Sequence, residues 1–228
     1  MKRKNRYYRR SKISAPKFRH LLRCFALDLT ASETSALMGL SVRSTNAIFL
    51  ALRRRIAQHC EAQRPPITGV VEVDESYFGP RRVRGLRGRG AGGKTIVFTW
   101  YPQTRRGGLH RGVPGCTRAT LRQAILGKIG IHTVIHSDGL SAYAGLVDLG
   151  YAQRTIGSST DVARFTNARS HINGIESFWS LLRQASLGEF NGLHRHLPPA
   201  SEKTEFRFNH RHKNLYPVLL QMLRNQPL

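Results

Sequence analysis

The sequence predicts a mixed α/β domain preceded by a small all-α domain, and three observations carry that prediction. Residues 17–59 repeat apolar side chains at helical spacing. Pro65 and Pro66, in the segment EAQRPPITG, then end the pattern. Beyond them, apolar runs of strand length at residues 70–77, 95–101 and 133–136 are interrupted by a helical stretch at 118–128. Two strands in succession imply a hairpin, and a strand reached through a helix implies parallel pairing, so a mixed sheet is expected. The expected division is residues 1–64 and 65–228, in a chain of 228 residues that is long enough for one substantial core and a small appendage.

In the helical part, Leu21, Leu22, Phe25 and Leu27 form the first apolar set. Thr30 and Glu33 have capping-box spacing, Gly39 marks a turn, and Ser41 caps a further helix whose apolar positions include Ile48, Phe49 and Leu52. The result is helix, turn, helix. Any three-helix bundle has such turns. In a DNA-binding version, the start of the second helix offers Arg43, Ser44 and Asn46 to base edges, and Arg53, Arg54 and Arg55 to phosphates.

Charge favours that version. Lys and Arg number 37 against 13 Asp and Glu, giving a formal net charge of +24 and a sequence pI of about 11.4, which calls for a polyanionic partner. Nucleic acid fits best. A membrane is not expected, because no apolar run has the length to span a bilayer, and the opening MKRKNRYYRRSK lacks the apolar stretch of a signal peptide, so the expected location is the cytoplasm. Cys24, Cys60 and Cys116 are too far apart for a paired zinc motif and odd in number, and they read as small packing residues. The run RRVRGLRGRGAGGK is either a solvated hairpin tip or a flexible cationic loop, with Arg81, Arg82, Arg84, Arg87, Arg89 and Lys94 available to a phosphate backbone.

Against this background the stretch VVEVDESYFG places three acids within residues 72–75. Strand alternation puts Val71 and Val73 on one face and Glu72 and Asp74 on the other, with Glu75 pointing away from Asp74. A carboxylate face on a half-buried strand needs a Lys or Arg partner or a divalent cation. Glu72 reads as either an acid behind the ligands or a direct ligand. In TVIHSDGLSAY, Asp138 follows a short apolar strand, where it either caps the next helix or joins a site at the strand end. In HINGIESFWSLLR, helical spacing gathers Ile172, Ile175, Phe178, Trp179 and Leu182 on one arc, and Asn173, Glu176, Ser180 and Arg183 on an adjoining one. Alone, Glu176 is an ordinary solvated acid. Together with Asp74 and Asp138 it can supply hard oxygen ligands for Mg²⁺ or Mn²⁺, and two such ions can drive in-line attack at phosphorus.

VEVDESYFG, GRGAGGKT, HSDGLSAY, HINGIESFWSLLR and EFRFNHR, in that order, resemble the bacterial insertion-sequence transposases of the DDE superfamily, within them the ISXO-like group. The resemblance spans roughly residues 10 to 215. It implies a ribonuclease-H-like catalytic domain behind a helix-turn-helix, with Asp74, Asp138 and Glu176 as the acids holding two Mg²⁺ or Mn²⁺ ions. It further implies terminal inverted repeats and target DNA as double-stranded partners, a homo-oligomer on DNA, and action at the nucleoid. Part of the wider group uses Asn as the third ligand, so Asn173 stays open beside Glu176. Relatives often carry Lys seven residues after the third acid; here Arg183 stands there as an expected phosphate clamp with different geometry. The cysteine-rich zinc ribbon of some relatives has no counterpart, which leaves end recognition to the helix-turn-helix and the basic arm. The competing readings are a structure-selective nuclease of the same fold and a non-catalytic DNA-binding regulator or decayed copy.

Overall fold

The computed structural model describes residues 5–62, 67–78, 94–103, 108–138, 140–143, 145–155, 173–189 and 197–228. Its contacts divide the chain into two compact units, residues 1–63 with 210–228, and residues 64–209.

The first unit is helical. Helix α1 (Ala15–Ala26) starts at Ser14, whose side chain accepts from the Lys17 amide, and buries Phe18, Leu21, Leu22 and Phe25. Leu27 does not extend this apolar face; it is the exposed residue that ends the helix. Helix α2 (Ala31–Met38) carries the expected capping box: Glu33 N–H donates to Thr30 Oγ1 at 3.2 Å, while Thr30 N–H donates to Glu33 Oε2 at 2.7 Å. Gly39 ends it in the left-handed region at φ 57°, where a side chain is disfavoured. Helix α3 (Val42–Ala62) begins under Ser41, whose hydroxyl accepts from the Ser44 amide, and buries Thr45, Ile48, Phe49, Leu52 and Ile56. A buried hydroxyl pair, Ser35 to Thr45 at 2.9 Å, joins α2 to α3.

Tertiary packing places the last helix of the chain, absent from the expected boundary, in this unit. It is labelled below as α7 (Leu215–Asn225), buries Leu219, Met222 and Leu223, and packs on α1. The residues after it run back along the start of the chain. Arg9 N–H donates to Leu228 O, Leu228 N–H donates to Tyr7 O, and the Arg55 guanidinium donates to Pro227 O at 2.8 Å. Arg55, expected at phosphate, is thus occupied within the unit.

The second unit is a five-stranded sheet between helices. Strands β1 (Val70–Phe78), β2 (Thr95–Pro102) and β3 (Leu109–Val113) form an antiparallel meander. After helix α4 (Arg118–Ile125), β4 (Val134–Ser137) pairs parallel with β1, and β5 (Ala152–Thr155) pairs parallel with β4. The order is β3-β2-β1-β4-β5, a mixed sheet with β1 at its centre. Helices α5 (Asn173–Glu189) and α6 (Leu197–Asn209) complete the unit. Strand alternation divides the core in two. Val71, Val73, Phe98, Trp100 and Ile135 pack with Leu121, Ala124 and Ile125 of α4. On the other face Val97 and Tyr101 pack with Ile175, Phe178, Trp179 and Leu182 of α5 and Phe208 of α6. Glu205 anchors α6 to the sheet edge: its Oε2 accepts from His110 N–H at 3.1 Å and lies 2.7 Å from His110 Nδ1. Among the described residues, no helix is long and apolar enough to cross a membrane.

Because α7 and the segment after it supply core side chains and backbone partners to the first unit, deleting residues 210–228 should melt it. Amide exchange should show α1 and α3 losing protection while the β1–β2 ladder keeps its own. Unchanged protection in α1 would show that residues 1–63 fold without α7.

Candidate active site

Alternation along β1 sorts its acids. Glu72 and Asp74 face α5, whereas Glu75 turns to the opposite face, where its Oε2 accepts from the hydroxyl of the fully buried Tyr143 at 2.6 Å. Asp74 is held at both oxygens: Oδ2 accepts from the Trp179 indole N–H at 2.8 Å, and Oδ1 from the Glu75 amide at 2.8 Å. Asp138 follows the last residue of β4, the strand beside β1, and its Oδ1 accepts from the Leu140 amide at 3.1 Å. That bond is the capping role open to it in the sequence. Because β4 pairs parallel with β1, Asp138 leaves the sheet on the strand next to Asp74, and its charge reaches Asp74 and Tyr143.

The electrostatic effect on Asp74 is large. Burial pushes its carboxyl up from 3.8 to about 6, the neighbouring charges of Glu75 and Asp138 push the same way, and the Trp179 and Glu75 donors only partly offset them. Tyr143 is held well above the usual phenol range by its own burial and then by Glu75. Carboxylates on adjacent strands, one of them with its charged form disfavoured, gain from a compensating cation, and oxygen donors of this kind suit Mg²⁺ or Mn²⁺.

The described part of the expected apolar stripe is buried, with Ile175, Phe178, Trp179 and Leu182 inward and Glu176 and Ser180 exposed, while Ile172 lies outside the described residues. Glu176 therefore stands in the first turn of the helix packed on the Asp74 face, but no contact among the described residues joins it to Asp74 or Asp138. The side chains of Asn173 and Arg183, and all of Arg81, Arg82, Arg84, Arg87 and Arg89, lie outside the described residues. Lys94, just before β2, is half-buried. In the first unit Arg43, Ser44, Asn46 and Arg54 are exposed on α3, while the Arg53 guanidinium sits 6.0 Å from the centre of the Phe49 ring.

Sequence reasoning missed two features. Trp179, read as a core residue, is buried and is also the donor that holds Asp74. Its helical spacing gives the burial but not the partner. Glu72 is fully buried, and both its oxygens accept bonds: Oε1 from the Gln103 amide group at 3.1 Å and Oε2 from the Ile175 backbone N–H at 2.9 Å. Alternation puts Glu72 on the Asp74 face and says nothing of a helix end 103 residues later.

A carboxyl whose folded pKa is raised favours folding when protonated, so this contribution is present below about pH 4 and is lost as pH rises through about 6. In the metal-free protein, the unfolding midpoint of Asp74→Asn minus that of the unaltered chain should grow between these pH values, by an amount equivalent to about 2–3 kcal/mol at most. A difference that is flat with pH would show that Asp74 ionises as freely as in an unfolded chain.

No curated protein matches the chain. Among solved structures, the catalytic core domain of BIV integrase overlaps at a TM-score of 0.42 with 13% identity, covering 61% of this chain and 82% of that one. The HTLV-2 integrase catalytic core domain, solved with magnesium in a trimeric form, overlaps at 0.37 with 14% identity, covering 62% and 85%. The ISXO2-like transposase domain matches residues 66–209, more than half of the chain and the whole of the sheet unit with its helices. The chain therefore belongs to the ISXO2-like transposase domain family, with a mixed α/β fold and an activity of the transposase type.

Proposed function

We propose that the chain is an insertion-sequence transposase that binds terminal inverted repeats and catalyses metal-dependent DNA strand cleavage and strand transfer. The observation that carries this reading is the meeting of Asp74 and Asp138 where β4 ends beside β1, in a chain of this family. Asp74, Asp138 and Glu176 are the acids assigned to hold two Mg²⁺ or Mn²⁺ ions, with Asn173 as the alternative third ligand. Bound there, such ions activate an attacking oxygen and stabilise a leaving one at phosphorus. Trp179 and the Glu75 amide fix the Asp74 carboxylate, and the Leu140 amide fixes Asp138, so the acids are oriented before substrate arrives. Hydrolysis of one strand frees a 3′ hydroxyl, which then attacks the target strand. Arg183, two turns beyond Glu176 on α5, is assigned to hold a DNA phosphate there.

The first unit is the proposed end-recognition domain. Arg43, Ser44 and Asn46, exposed at the start of α3, are assigned to base edges, and Arg53, Arg54, Lys94 and the arginines of residues 81–89 are assigned to phosphates. A net charge of +24 supports affinity for double-stranded DNA without selecting its sequence. Two element ends require two copies of the site, hence a homo-oligomer on DNA in the nucleoid.

The test is a strand-transfer assay with labelled ends and Mg²⁺. Asp74→Asn, Asp138→Asn and Glu176→Gln should each lower cleavage by more than about a hundredfold while specific end binding persists. Arg183→Ala should lower strand transfer with Mn²⁺ affinity unchanged, and Arg183→Lys should be milder because the charge remains. Cleavage without joining would make the protein a nuclease. End binding without either reaction would make it a regulator. Normal cutting by Glu176→Gln, with loss in Asn173→Ala, would move the third ligand to Asn173.

A further inference from the structure

Glu72 is a buried acid with no part in the reading above. It is 0% exposed on the central strand, with its two oxygens accepting from Gln103 and from the Ile175 amide. That amide belongs to the first turn of α5, whose N–H groups have no carbonyl partner inside the helix. Negative charge there complements the positive end of the helix dipole, which explains how a carboxylate is tolerated away from water. Four residues later, the Trp179 indole N–H reaches Asp74.

The two contacts share one spacing. Two residues of strand advance about 6.6 Å, and four residues of helix advance about 6 Å. Glu72 with Ile175, and Asp74 with Trp179, therefore fix how far α5 has slid along β1. Gly174 fixes its depth. A Cβ at that position would run into the Tyr101 ring, so the absence of a side chain lets the first turn of α5 lie against β2.

We infer that Glu72 is a positioning residue that sets the height of α5 on β1 and thereby the place of Glu176 relative to Asp74. The inference rests on the proposed assignment of Glu176 as the third acid. The competing role for Glu72 is that of a direct metal ligand, and the two roles differ in what a neutral isostere does. Gln keeps an acceptor for the Ile175 amide but is a poor substitute for a ligating carboxylate; Leu fills the space and keeps neither function.

The full-length chain carrying Glu72→Leu, Glu72→Gln or Gly174→Ala, with Asp74→Asn as reference, is followed by amide exchange at Ile175, by Mn²⁺ titration and by DNA cleavage kinetics at saturating Mn²⁺. Glu72→Leu should speed exchange at Ile175 by about tenfold or more. It should also lower kcat with the KM for DNA unchanged. Glu72→Gln should recover most of both and bind Mn²⁺ more tightly than Asp74→Asn. Gly174→Ala should reproduce the faster exchange and lower kcat without altering any carboxylate, and it keeps the test open if Glu72→Leu does not fold. Unchanged Ile175 exchange in Glu72→Gln, with Mn²⁺ affinity reduced as far as in Asp74→Asn, would overturn the inference and make Glu72 a ligand. If Asp74→Asn binds Mn²⁺ as the unaltered chain does, the metal reading fails instead. Faster Ile175 exchange in Glu72→Leu and Gly174→Ala would still uphold the anchor in that case.

Discussion

A carboxylate taken out of water must find donors, and the central strand of this protein buries Glu72 and half-buries Asp74 on one face. One donor to each comes from a single helix. The Ile175 amide serves Glu72 and the Trp179 indole serves Asp74, so docking α5 at one place offsets part of the cost of burying negative charge on β1, with Gln103 and the Glu75 amide supplying the other bonds. The strand order sets the rest: β1 lies between β2 and β4, which brings Asp138 to the same neighbourhood and gives α5 a flat platform next to Tyr101.

The opposite face is handled separately. Glu75 is removed from the Asp74 face by strand alternation and is tied to Tyr143, just beyond Asp138 in the chain. Its charge nonetheless reaches Asp74 and adds to the desolvation that raises the Asp74 carboxyl. Donors on the α5 side stabilise the ionised form, while burial and two like charges oppose it, and the opposition wins in the absence of a cation. On the proposed reading, a divalent ion bound there would remove the repulsion that the fold imposes.

Much of this was legible from local pattern. The alternation of Val71 and Val73 against Glu72 and Asp74 gives β1 and its two faces, and the Thr30–Glu33 spacing gives the start of α2. The stripe of Ile175, Phe178, Trp179 and Leu182 gives the buried side of α5. Strands β3 and β5 escaped notice for a physical reason. Both are edges of the sheet and short, and LHRGV and AQRT carry the polar residues that edges tolerate. The place of α7 depends on packing between distant parts of the chain, with Arg55 meeting Pro227 across 172 residues, and no local pattern encodes that. Partners such as Glu72 with Ile175, or Glu75 with Tyr143, are equally non-local: period-2 alternation fixes a face but not what covers it.

The most direct measurement is an anomalous scattering map from crystals of the chain bound to a DNA end in Mn²⁺. Manganese is expected against the carboxylates of Asp74, Asp138 and Glu176, with Glu72 still accepting from the Ile175 amide. Manganese coordinated by Glu72, or placed away from Asp74 and Asp138, would contradict the division of this strand's acids into one that binds the ion and one that seats the helix.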